Sequence, residues 1–159
     1  MADARIACRI CRAKGETPMN CRTDKSMYAP NETVCVYVDG LPAETVSLRL
    51  ILSHLEKTVL TEEIAAAERF SLLPPAKDGK GCLLEVQALD PDKALLADAF
   101  TAIDVSSAWT RFPRYGYVWD FTPGVDAQAK IETLCRFHIN GLQFYDWQYR
   151  HHRPVADDT

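Results

Sequence analysis

From about residue 22 to residue 107 apolar and polar positions alternate in short runs. TVCVYV (33–38) sets Val34, Val36 and Val38 on one face, and TVSLRLIL (45–52) does the same with Val46, Leu48, Leu50 and Leu52. A period of two marks a strand with one buried face. GCLLEVQAL (81–89) and AFTAIDVSS (99–107) add two more such runs. Turn signals separate them at Asp39-Gly40, at Lys77-Asp78-Gly79-Lys80-Gly81 and at Asp90-Pro91-Asp92. The segment TEEIAAAERF (61–70) has helix-favouring alanines, but its place between strands assigns it to a strand. Several short strands at this spacing predict an antiparallel β-sandwich, immunoglobulin-like in outline, over residues 22–110, with residues 1–21 as an N-terminal extension.

The pattern changes near Tyr115. YGYVWDF (115–121) is a short apolar and aromatic run, broken by Thr122-Pro123-Gly124. VDAQAKIETLCRFHI (125–139) then places Ile131, Leu134, Cys135 and His138 at helical spacing, and Asn140-Gly141 supplies a left-handed cap. LQFYDW (142–147) is again strand-like. Strand, helix, strand predicts a parallel pair joined by a crossover helix, and such a pair needs cover on both faces. Residues 111–159 therefore read as the start of a second unit.

In α/β folds, functional side chains collect at the carboxyl ends of parallel strands. The first strand ends at Trp119, Asp120 and Phe121; the second at Tyr145, Asp146 and Trp147, followed by Tyr149, His151 and His152. A carboxylate beside aromatic rings suits a sugar. The carboxylate accepts hydrogen bonds from hydroxyls, and the ring packs on the apolar C–H face of the pyranose. The same aromatics could instead fill a sheet or barrel interior. His151 and His152 are a poor metal pair, because adjacent residues at a strand end seldom point the same way.

Composition narrows the function classes. A chain of 159 residues with 47% hydrophobic and 25% charged residues is ordinary globular material. The net charge of -4, with basic residues scattered, gives no footprint for nucleic acid. No apolar run approaches the ~18 residues of a membrane span. The start, MADARIACRICRAK, lacks the apolar core of a signal peptide, so a cytoplasmic product is expected, or a secreted one if the true start differs. Cys8, Cys11 and Cys21 could form a zinc knuckle with Cys35 or a distant histidine, but a zinc ribbon wants a second tight pair. Reduced cysteines in a protein without metal are the plainer reading, with Cys35, Cys82 and Cys135 as small core residues. No cofactor is expected.

The run AIDVSSAWTRFPRYGYVWDF (102–121), with FHINGLQFYDWQYRHHRPV (137–155), resembles glycoside hydrolase family 66, the endo-dextranases and cycloisomaltooligosaccharide glucanotransferases. TDKSMYAPNETVCVYV (23–38) is similar to the family's opening strand phrase, with Pro30-Asn31 where Pro-Gly is common, and LLPPAKDGKGCLLEV (72–86) resembles its phrase before the catalytic domain. The resemblance implies an immunoglobulin-like β-sandwich followed by the first β-α-β piece of a (β/α)8 barrel, whose strands one and two would be YGYVWDF and GLQFYDW. It implies action on α-1,6-glucan with retention, by an Asp nucleophile and a Glu acid/base on later barrel strands beyond Thr159. No carboxylate here is therefore assigned to catalysis, and the chain alone is expected to be inactive. Asp146, flanked by Tyr145 and Trp147, matches a substrate-binding position, and His151 and His152 match the loop that follows. Trp119 departs from the family pattern, where a smaller or polar residue is usual. Two readings compete with this one. One is a stand-alone sandwich binding glucan or a protein partner, for which Tyr28, Tyr37 and Phe70 offer no single spacing. The other is a remnant without function.

Overall fold

A computed structural model describes residues 18–75, 77–119, 123–145, 148, 150, 152–153 and 155. The elements run β1 (Asn20–Thr23), β2 (Val34–Asp39), β3 (Ser47–His54), β4 (Lys57–Ala65), β5 (Arg69–Leu72), β6 (Lys80–Leu89), β7 (Leu95–Val105), β8 (Tyr115–Val118), α1 (Ala127–Arg136) and β9 (Gly141–Phe144). A single 3-10 turn, Trp109–Arg111, lies in the connector between β7 and β8.

The first seven strands form two antiparallel sheets, ordered β1-β2-β5 and β4-β3-β6-β7. Val34, Val36 and Val38 from one sheet and Leu48, Leu50, Leu52, Leu84 and Val86 from the other are buried in a common core. The expected β-sandwich is therefore present, and its core is built by the alternation that the sequence displays. β1 begins at Asn20, two residues ahead of the expected start of the sandwich. The ambiguous segment 61–70 is extended over most of its length. It ends β4 at Ala65 and resumes as β5 at Arg69 in the opposite sheet, so residues 66–68 carry the chain across the sandwich. Two backbone bonds fix the crossing: Ala66 N–H donates to Val46 O at 3.1 Å, and Val38 N–H to Glu68 O at 2.8 Å.

Several side-chain expectations fail for physical reasons. Val46 does not join Leu48, Leu50 and Leu52. It precedes the regular pairing that begins at Ser47, and 46% of it is exposed. Cys35 is not core, because period two puts it on the face opposite Val34 and Val36; it is half-buried beside Arg69. Cys135 is likewise half-buried, since α1 has no buried residue. Cys82 does lie in the core, as does Cys21 of the C-x2-C-x9-C run. Asn31, in the turn before β2, has a φ of 65°. Asparagine tolerates this left-handed conformation, which otherwise favours glycine.

β8 and β9 pair in parallel, Tyr115 opposite Gly141 and Val118 opposite Phe144, with α1 as the crossover. α1 is shorter than the expected 125–139. Asp126 caps its start, accepting a hydrogen bond from Ala129 N–H at 3.0 Å. Its end differs from expectation. The left-handed residue is His138 (φ 55°), and Asn140 and Gly141 do not take that role. His138 N–H donates to Cys135 O and Ile139 N–H to Leu134 O, each at 2.9 Å, which is the double closure of a Schellman end. The helix thus stops before Asn140, whose side chain is left for another task.

Replacing Leu84 by alanine is expected to cost about 2–5 kcal/mol in urea unfolding, because it empties a fully buried site. Val46→Ala, at a half-exposed position ahead of β3, is expected to stay within about 0.5 kcal/mol.

Candidate functional site

The connector between β7 and β8 is held at each step. Ser107 donates from its N–H and its hydroxyl to the Asp78 carboxylate, at 2.8 and 2.7 Å. Those bonds hold the Asp78 carboxyl below its ordinary range. Arg111 lies over Gly79, where φ is +77° and a Cβ would come within 2.4 Å of Nη1. Arg114 then pairs with Asp104 of β7, whose side chain is only 4% exposed. The Asn140 amide spans what remains. It accepts from Arg114 N–H at 3.0 Å and donates to Phe112 O at 2.8 Å. The N–H groups of Asn140 and Gly141 donate to Arg114 O at 3.1 and 3.2 Å. Both strands of the parallel pair therefore start from the same anchor.

That anchor sets the faces. A Cβ on Gly116 would meet Ile139, Leu134 and Leu142 at 3.0–3.3 Å, so this face of the pair lies against α1 and its exit. By alternation, Tyr115, Tyr117 and Trp119 occupy the opposite face. They are 59%, 63% and 72% exposed. Tyr145 N–H donates to Val118 O at 2.8 Å, continuing the ladder one residue past β9 and bringing Tyr145 level with Trp119. Tyr145 is 54% exposed. The two strand ends thus place a tyrosine and an indole at the same level of the ladder, both largely exposed. An open groove of about 460 Å³ lies on the helix side of the pair, between Val118, flanked by Tyr117 and Trp119, and Ala129, Thr133 and Leu134 of α1; Tyr145 does not line it.

Among the sequence-selected residues, Tyr145 stands on this aromatic face, and His152 is an exposed turn residue beyond it. Asp146, Trp147, His151, Asp120, Phe121 and Tyr149 lie outside the described residues. The aromatic face can supply flat apolar contact; the carboxylate that would fix a ligand's hydroxyls is assigned from sequence.

The proposed cysteine site does not assemble with Cys35. Cys21 points into the core from β1, whereas Cys35 faces outward from β2, so the two cannot share an ion. Burial pushes the Cys21 thiol up to about 12. Cys8 and Cys11 lie outside the described residues. Among the described residues no group of three or more His, Cys, Asp or Glu is placed to hold a metal ion. No helix among them is long and apolar enough to cross a membrane. The aromatic row needed for a glycan-binding sandwich face also fails to form from the three residues considered. Tyr28 is buried, Phe70 packs against the core, and Tyr37 is covered by Arg22 at 4.4 Å and Arg69 at 5.4 Å.

Sequence reading missed the residues that position the strand pair: Asp104, Arg114, the Asn140 side chain and His138. One signal was available. Asp104 interrupts an otherwise apolar stretch of β7, and a carboxylate in that setting needs a cation.

Residues 23–159 match glycosyl hydrolase family 66. Two curated proteins from Niallia circulans, each a cycloisomaltooligosaccharide glucanotransferase, are 34% and 32% identical over 149 residues. The alignments cover 84% of this chain and 15% of each relative, so the chain spans about 15% of the length of the curated proteins it matches. Among solved structures, the fibronectin(III)-like modules of Clostridium thermocellum CbhA align over 55% of this chain and 95% of theirs, at 15% identity and a TM-score of 0.42. The β-sandwich assignment rests on the strand pairing itself.

Asn140→Ala removes both side-chain bonds to the connector and is expected to destabilise the β8–β9 pair by about 1–3 kcal/mol. Thermal unfolding followed at Trp109, which packs edge-on against Tyr115 with ring centroids 6.0 Å apart, would read this directly.

Proposed function

The chain belongs to glycosyl hydrolase family 66, and from that premise we propose that it is the N-terminal part of a dextranase-like enzyme acting on α-1,6-linked glucan with retention, by hydrolysis or cyclising transglycosylation. In this reading residues 22–110 are the supporting sandwich. Residues 111–159 begin a (β/α)8 barrel, with β8 and β9 as its first two strands. The observation that carries the proposal is the parallel β8–β9 pair, which sets Trp119 and Tyr145 level at its carboxyl end with their face open. Ligand-binding residues of barrels occupy that position.

The chemistry divides between this segment and later strands. Retention needs a nucleophilic carboxylate and an acid/base carboxyl about 5–5.5 Å apart. The family resemblance places that pair on later barrel strands, beyond this segment. This segment orients the sugar. Asp146 accepts hydrogen bonds from hydroxyls of the glucosyl unit being cleaved; Tyr145 and Trp147 flank it in the chain, and His151 and His152 match the family's following loop. Holding the ring in one orientation lowers the barrier by removing its freedom before the bond breaks.

The test is steady-state kinetics on dextran with a polypeptide that continues from this segment through the remaining barrel strands. Asp146→Ala is expected to lower kcat/KM by about 10- to 150-fold, the equivalent of one charge-assisted hydrogen bond. Residues 1–159 alone are expected to release no reducing sugar. Unchanged kinetics in the variant would overturn the role of Asp146, and absence of activity on any α-1,6-glucan would overturn the substrate.

A further inference from the structure

His138 has a task that the sugar site does not explain. It holds the left-handed position at the end of α1, where glycine is usual and other side chains are strained. From there its ring reaches the sandwich rather than solvent. Nε2 lies 3.4 Å from the Thr101 hydroxyl on β7, and Thr101 is itself buried. Nδ1 is buried without a well-formed hydrogen bond. The ring therefore fills the seam along the β7 edge, where Tyr28 also bridges to Val105.

We propose that His138 is an acid-sensitive latch: its neutral imidazole docks the β8–α1–β9 unit onto the sandwich, and protonation releases that docking. The charged groups acting on the ring come from two elements. Arg114 in the connector opposes a second positive charge, and Asp104 on β7 favours one but is already paired with Arg114. From the β1–β2 loop, the Ser26 backbone also favours the charged form. Burial outweighs both and holds the imidazole below its ordinary range. The released state then binds a proton more tightly than the docked state. Docking is at full strength above the ordinary imidazole value of about 6.5 and weakens as pH falls through the interval below it. The latch does not depend on the identity of the sugar. It governs how firmly the start of the β8–α1–β9 unit is held against the sandwich.

Two-dimensional NMR of the whole chain between about pH 7.5 and about pH 5 tests the latch across the imidazole range. His138 is expected to titrate below 6.5, and the amide signals of Tyr115–Val118 to shift with the same midpoint while those of Val34–Asp39 stay fixed. In His138→Asn, which keeps a residue tolerant of the left-handed conformation, the β8 shifts in this window are expected to vanish. A His138 midpoint at or above 6.5 would overturn the proposal, and that result needs only the unmutated chain. Persistence of the β8 shifts in the variant would also overturn it, by assigning them to another group.

Discussion

Arg114 lies against a carboxylate that the sandwich has buried. Asp104 sits on the outer face of β7, close against Gly81, where a Cβ would come within 3.0 Å of Oδ1 and 3.4 Å of the Phe112 ring. An ionised carboxylate this enclosed is costly without a cation, and Arg114 supplies it. Arg114 is the residue immediately before β8, so satisfying Asp104 fixes where the second unit begins. Asn140, immediately before β9, then bonds to the Arg114 N–H and to the Phe112 carbonyl. One buried charge in the sandwich thereby sets the origin of both parallel strands.

The consequence for function is geometric. With both strands started from one anchor, their register follows, and so does the division of their faces. Gly116 leaves room for Leu134, Ile139 and Leu142 on the helix side. Tyr115, Tyr117, Trp119 and Tyr145 are left on the other side with their rings largely open. Isolated exposed aromatics are common, but a row of them on one face of a strand pair marks a surface built to be covered or occupied. In a member of glycosyl hydrolase family 66 the proposed occupant is a glucan ring lying across the strand ends.

How much of this could be read in advance varied with the kind of interaction. Strands β2, β3, β6 and β7 were legible because burial of one face imposes a period of two, and the βαβ order was legible because the period changes at Tyr115. Cys35 shows the same rule applied too loosely: an apolar neighbourhood suggested core, but its parity with Tyr37 places it outside. Val46 shows the limit of alternation at a strand end, where pairing stops before the pattern does. Asn140 looked like a helix cap by composition, yet the helix closes earlier on His138 and frees the amide for the connector. Contacts across distant stretches, such as Asp104 with Arg114 and His138 with Thr101, have no local period and emerge only when the chain is folded. For the candidate site, the order of the two strands was legible, while the contacts that aim them were invisible.

The most direct measurement is hydrogen exchange in the unmodified chain and in Arg114→Ala. If the buried carboxylate anchors the second unit, amides of Tyr115–Val118 and Gly141–Phe144 lose most of their protection in the variant, while those of the central strands β3 and β6 keep theirs. Unchanged protection in β8 and β9, or an equal loss in all four strands, would contradict the account.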